Sequence, residues 1–193
     1  MTKSERTRQF IIEQSASIIN KKGVAGTAIS DLMEATKLAK GGIYGNFETK
    51  DEICIEAFDY LTGIVARGLD SAIAAKRTAR EKLFTLLDYY NDNLASGEVG
   101  GCPLLNFGTE ADDTNPELKQ RVAKAIKRSQ QRITKLIEEG QAAGEFNKRT
   151  DASLFALKMF TMIEGAIFAS RVTSNKALMK SIVDILKKEI DAL

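Results

Sequence analysis

Residues 27–50 read TAISDLMEATKLAKGGIYGNFETK. Ile29, Leu32 and Met33 recur at helical spacing, so the chain forms a short helix from about Ala28 to Thr36 with Thr27 capping its start. A brief turn, Lys37-Leu38-Ala39, leads into a third short helix through Gly42 to Phe47. Two short helices joined by a tight turn follow helix-turn-helix grammar: the first braces and the second enters a major groove. Leu32 and Leu38 would fix the angle between them. Upstream, a helix from about Ser4 to Lys22, capped by Ser4 and stopped by Gly23, buries Ile11, Ile12, Ile18 and Ile19 and would pack behind the pair. Thr49 opens a long fourth helix, with Asp51 and Glu52 placed at the positive end of its dipole.

Helical periodicity continues outward, and alternation typical of strands is missing. Thr78 to Ser96 carries Leu83, Phe84, Leu87, Tyr90 and Leu94 at helical spacing, and Gly97, Gly100 and Gly101 break the chain. Cys102 to Ala111 is a short amphipathic piece. A turn at 112–116 leads into Glu117 to Glu139, which Gly140 and Gly144 end. Asp151 caps a helix to about Val172, and a last helix spans about Asn175 to Ala192. The expected fold is all-α with about nine helices. A three-helix head occupies residues 1–48, and a helical body occupies residues 49–193.

Composition narrows the chemistry. The 193 residues suffice for one or two domains with real cores. With no histidine in the chain, Ser-His-Asp and Cys-His nucleophile activation and histidine metal sites are excluded. The two cysteines, Cys54 and Cys102, form neither a CxxC pair nor a zinc set. Their number provides no disulfide framework, which points to a reducing, cytoplasmic compartment. There is no GxxxxGK loop or dinucleotide fingerprint. The N-terminus lacks the apolar core of a signal peptide, and no uninterrupted apolar run reaches the roughly 18 residues of a membrane span. No metal, cofactor or membrane partner is expected. Residues 1–50 hold eight basic against five acidic side chains, and the remaining 143 hold 20 against 21. The head is therefore modestly basic on a nearly neutral body.

The stretch from Ile11 to Ile53 resembles the DNA-binding domain of the TetR family of bacterial transcriptional regulators. The residues that carry the likeness are Ile11-Ile12, Gly23, Thr27, the segment Gly41-Gly42-Ile43-Tyr44-Gly45-Asn46-Phe47, and Lys50-Asp51. The resemblance implies a homodimer on a palindromic double-stranded operator, most often a repressor released by a small-molecule effector. Read residue by residue, Thr27, Tyr44 and Lys50 are candidate phosphate contacts. Lys37, Lys40 and Asn46 are candidate base readers, and Gly41 and Gly42 allow close backbone approach. Each glycine weakens its helix by about 1 kcal/mol relative to alanine. The alternative readings are that Tyr44 and Phe47 are core aromatics and that Lys50 is a solvated lysine.

In the body, the Asp151–Val172 helix is apolar nearly all round, so two of its sides need cover. Gly165, Ala166, Ile167 and Ala169, with Leu178, Ile182, Ile185 and Leu186 of the last helix, are the expected dimer face. Two such helices per subunit build a four-helix bundle in the family. The expected effector pocket draws apolar walls from Phe58, Leu61, Val65, Phe84, Leu87, Leu105, Phe107, Ile126, Ile133, Met159 and Met162. Its candidate polar groups are Tyr90, Asn106 and Glu110, and Cys102 is counted among its lining residues. Cys102 opens a helix after two glycines, and is read either as a small buried residue or as a thiol sensor. Lys119 to Lys135 holds seven basic residues and no acidic one, read as a solvated face. A helical small-molecule carrier and an enzyme are the rival classes.

Overall fold

The computed structural model describes residues 1–95 and 100–193. The elements are α1 (Lys3–Lys22), α2 (Ile29–Thr36), α3 (Lys40–Tyr44), α4 (Lys50–Ala74), α5 (Ala79–Tyr90), a π-helical turn (Asn91–Ala95), α6 (Pro103–Thr114), α7 (Pro116–Ala143), α8 (Ala152–Val172) and α9 (Lys176–Asp191). No strand occurs among the described residues. The expected helix from Thr78 to Ser96 is thus α5 followed by a π-turn, with Ser96 and the predicted break at Gly97 outside the described residues.

Two compact units emerge. One is residues 1–65 with 103–122, and the other is residues 66–102 with 123–193. The first part of α4 and all of α6 thus belong to the first unit.

In the first unit, α1 buries Ile11, Ile12, Ala16 and Ile19, while Ile18 is only half-buried. Leu32 of α2, Ile43 of α3, Phe47 and Ile53 are buried with them. Phe58 of α4 and Phe107 of α6 meet with ring centroids 5.5 Å apart. Thr2, not Ser4, caps α1: its hydroxyl accepts the Glu5 N–H while Glu5 reaches back to the Thr2 N–H. Arg8 binds α1 to α4. Its guanidinium contacts Glu52 and Glu56, donates to the Asn46 carbonyl, and lies 4.1 Å from the Phe47 ring centroid. That pairing, with Glu56 first, raises the guanidinium's proton affinity further, and Arg8 holds the Glu52 carboxyl below its usual range.

In the second unit, α8 packs along α9, and α5 packs on α9. Leu83, Leu87, Ile133, Met159, Ile163, Ile167, Met179 and Leu186 are buried in its core. The Glu145 carboxylate accepts the Ala79 and Arg80 N–H groups, adding to the Thr78–Glu81 cap of α5. Gly140 does not end α7. The helix runs through it to Ala143, and Gly144, at φ +76°, ends it. Gly140 is there for packing, since a Cβ would lie 2.2 Å from the Phe146 ring. By length and composition α8 could cross a bilayer, although 44% of its most apolar window is buried inside the protein.

Candidate functional site

The helix-turn-helix forms as the spacing predicts, with one residue carrying the turn: Lys37 adopts φ +58° after α2. Thr36 supports it, its hydroxyl donating to the Leu32 carbonyl at 2.7 Å and accepting the Leu38 N–H at 3.3 Å. Beyond the turn, Lys37, Lys40, Gly41, Gly42 and Gly45 are exposed, and Tyr44 is 39% exposed. Lys40 lies 5.9 Å from the Tyr44 ring centroid. A Cβ at Gly41 would meet nothing within 4 Å, and one at Gly42 would rest in ordinary contact with Leu38. The fold does not require these glycines; they leave the outer face of α3 bare.

Three expected contacts sit elsewhere. Thr27 is buried, and its hydroxyl donates to the Gly23 carbonyl at 2.6 Å. The N-cap of α2 is Ala28, whose N–H is taken by the Asp31 carboxylate at 2.9 Å. The Lys50 ammonium donates to the carbonyls of Val24 at 2.7 Å and Thr27 at 2.9 Å. Asn46 donates to the Gly42 carbonyl at 2.9 Å and accepts from the Ser4 hydroxyl at 3.3 Å. Thr27 and Lys50 saturate the α1–α2 turn, and Asn46 secures the end of α3.

Two expected effector groups also serve the head. The Glu110 carboxylate of α6 accepts the N–H groups of Val24 and Ala25, each at 2.9 Å. The Asn106 amide donates to the Asn20 carbonyl at 2.9 Å. Gly23 permits the approach: its φ is +83°, and a Cβ would fall 2.3 Å from Glu110 Oε1. With their polar atoms bonded to α1 and its turn, Asn106 and Glu110 hold the head instead of orienting a ligand. Phe58, Leu61 and Phe107 are buried in this same unit, and Val65 and Leu105 are half-buried.

Of the expected pocket residues in the second unit, Leu87, Tyr90, Cys102, Ile133 and Met159 are buried. Phe84, Ile126 and Met162 are half-buried, with the Lys187 ammonium 5.5 Å from the Phe84 ring centroid. Sequence reading missed Glu164, which gives this core its polarity. The Cys102 thiol donates to Glu164 Oε1 at 3.2 Å, while Oε2 is sealed from solvent without a hydrogen bond among the described residues. Burial pushes the Glu164 carboxyl up to about 7, and the thiol's hydrogen bond only partly opposes this. The Tyr90 phenol is raised chiefly by burial, then by Cys102 and Glu164, with Arg132 acting the other way.

On the outer side of α8, Leu154 (63%), Leu157, Phe168 (55%) and Val172 (68%) are exposed, and nothing lies within 4 Å of where a Gly165 Cβ would be. Leu178 and Ile185 of α9 are exposed, while Ala169 and Ile182 are half-buried. Ala166, Ile167 and Leu186 turn inward into the subunit's own core and drop out of the expected dimer face. The open stripe follows 154, 157, 161, 165, 168 and 172, a three-and-four spacing along one side of the helix.

An exposed basic-aromatic helix after a left-handed turn, carried by a unit separate from a helical body, defines a helix-turn-helix transcriptional regulator. Residues 11–57 match the model of the bacterial regulatory proteins of the tetR family, and residues 79–186 match that of the tetracyclin repressor-like C-terminal domain. The chain belongs to the TetR family of transcriptional regulators, with a DNA-binding head and a ligand-binding C-terminal domain. A TetR-family regulator from Cytophaga hutchinsonii is similar, at 42% identity and a TM-score of 0.94 over 100% of this chain and 97% of that one. Another from Chloroflexus aurantiacus is 35% identical, with a TM-score of 0.92 over 98% and 96%. The transcriptional repressor DhaR of Mycobacterium sp. (strain GP1) is 22% identical over 88% of this chain and 84% of its own length.

Glu164 gives the body a pH signature. Its folded pKa of about 7 lies above the ordinary 4.5, so between those values the folded chain holds a proton that the unfolded chain releases. The stability contributed by the neutral acid is complete below the lower value and lost as pH rises through the upper one. At pH 8 the buried charge costs at most about 3 kcal/mol. Glu164→Gln keeps an acceptor for Cys102 and removes the charge. Thermal unfolding is expected to show the variant matching wild type at pH 5 and melting several degrees higher at pH 8.

Proposed function

We propose that the protein is a homodimeric repressor that holds a two-fold symmetric operator and releases it when a small molecule binds the body. It acts in the cytoplasm of a bacterial cell and catalyses no reaction. The bare, exposed face of α3 is the observation that carries this reading. Gly41 and Gly42 let the backbone approach base edges closely, Tyr44 reaches a phosphate, and Lys37 and Lys40 supply positive charge beside them. The Mycobacterium relative is named as a repressor, which supports the sign of regulation.

A second copy of the chain is the proposed cover for the apolar stripe of α8 and α9, forming a four-helix bundle across a two-fold axis. The same pairing accounts for the bilayer-like composition of α8 without a membrane. For transmission, Cys102 closes the second unit's segment and Pro103 opens α6 at the next residue. A ligand that displaces Cys102 therefore pulls on the helix whose Asn106 and Glu110 hold the head. The ligand must favour the released geometry, and a coupling of about 1–3 kcal/mol changes operator affinity roughly 5–150-fold.

Titration of the upstream operator at several salt concentrations tests the DNA face. Tyr44→Ala and Lys40→Ala should each weaken binding by about tenfold with an unchanged unfolding midpoint, and Lys40→Ala, which removes a charge, should also make the salt dependence shallower. Lys50→Ala should chiefly lower the unfolding midpoint, because it strands two carbonyls of the α1–α2 turn. Equal stability losses for all three would remove the distinction.

Sedimentation velocity tests the dimer. Phe168→Glu sets a charge on the open stripe of each copy, where it meets buried apolar surface across the axis. The expected species is a helical monomer that no longer binds the operator tightly. A variant that remains dimeric would place the interface elsewhere.

A further inference from the structure

Among the described residues, the second unit buries three side-chain oxygens without a hydrogen bond: Glu189 Oε2, which has the Lys158 ammonium at 2.8 Å, the Ser170 hydroxyl, and Glu164 Oε2, the carboxylate oxygen with no cation. Glu164 Oε2 is sealed from solvent and has no hydrogen bond, although Oε1 has the Cys102 thiol at 3.2 Å. Such an orphan costs about 1–3 kcal/mol, so a folded protein retains few of them without a reason. Two backbone irregularities lead to the same place. Tyr90, whose buried phenol is raised in part by Cys102 and Glu164, is the last residue before the π-turn at Asn91–Ala95. π-Turns recur at functional sites. Gly100 and Gly101 both take positive φ, at +94° and +100°, and deliver Cys102 to the carboxyl. Phenol, thiol and carboxyl thus converge from three separate stretches of chain within a core that also buries Leu87, Met159 and Ile163.

Arg132 pairs with Asp70 at 2.9 Å, and the Arg171 side chain lies against Gly101.

We propose that Glu164 is the anchor of the effector site and that the effector is an organic cation, a protonated amine on an apolar body. This rests on the ligand-responsive reading above. A neutral donor could fill the vacant lone pairs of Oε2, but only a cation also compensates the carboxylate charge in this low-dielectric setting. The resulting charge-assisted hydrogen bond is about twice as strong as a neutral one. Burial has already raised the carboxyl to about 7, so an arriving ammonium drives ionisation and releases a proton at mildly acidic pH. Tyr90 and Cys102 bound the site, and the aliphatic lining takes the apolar part of the molecule.

The probes are hexylammonium and decylammonium, each with its matched neutral alcohol and its matched carboxylate, so that charge varies at constant shape. Calorimetric titration is run on the wild-type protein and on Glu164→Gln, with operator gel shifts in parallel. The expected result is that at least one ammonium binds wild type about tenfold or more tightly than its alcohol. Glu164→Gln should abolish that preference while its circular dichroism and thermal midpoint report a folded protein. At pH 6, binding to wild type should release a proton into the buffer. The assignment is overturned if neither ammonium binds, if alcohol and ammonium bind equally, or if the Gln variant keeps the preference. Should an alcohol or carboxylate displace the operator where the ammonium does not, the charge assignment fails and the ligand-responsive reading survives. Should the ammonium bind at Glu164 without altering operator affinity, the site stands and that reading fails.

Discussion

Everything in the DNA-binding unit depends on the turn between α1 and α2, and that turn is held by side chains. Residues 23–28 lie outside any regular ladder, so their backbone groups need partners from elsewhere. Glu110 accepts the Val24 and Ala25 N–H groups, Lys50 donates to the Val24 and Thr27 carbonyls, Thr27 donates to the Gly23 carbonyl, and Asp31 accepts the Ala28 N–H. The partners come from the turn itself, α2, α4 and α6. Glu110 is the decisive one, because it is the only one of them on α6. Its two hydrogen bonds to a charged acceptor outweigh what a neutral pair would contribute.

This bonding makes α6 part of the head in a mechanical sense. Phe107 packs on Phe58, Asn106 grips the end of α1, and Glu110 grips the following turn. The position of α3 follows, because α3 packs on α2, α2 packs on α1, and Arg8 fastens α1 to Glu52 and Glu56 of α4. A regulator needs its two recognition helices at a fixed separation to meet successive major grooves. The helix that holds the head begins one residue after Cys102, whose thiol meets Glu164.

Much of the fold was legible from side-chain periodicity. Ile29, Leu32 and the Lys37-Leu38-Ala39 turn announced α2 and α3, and the apolar helices from Asp151 onward announced α8 and α9. Local signals misled where a nearer or better-placed partner won. Ser4 lost the cap of α1 to Thr2, which completes a box with Glu5. Gly140 looked like a stop but makes room for Phe146. The site was less legible, because its interactions join residues remote in sequence. Glu110 and the N–H groups it binds are 85 and 86 residues apart, and Glu164 and Cys102 are 62 apart. No spacing rule connects such pairs. A polar residue on an amphipathic helix reads as pocket or surface until its partner is known. Likewise Lys50 carries the charge of a phosphate contact, and only the three-dimensional arrangement brings two carbonyls to it. On α8, the circumference is apolar nearly all round in sequence, so the division between inward Ala166 and Ile167 and outward Phe168 and Val172 awaited the packing against α9.

Amide hydrogen exchange at Val24 and Ala25 tests most directly whether α6 holds the head. In the wild-type protein both amides should be protected, and in Glu110→Ala both should exchange at least about tenfold faster while amides in the core of α1 stay slow. Free exchange of Val24 and Ala25 in the wild type, or protection that survives the substitution, would contradict it.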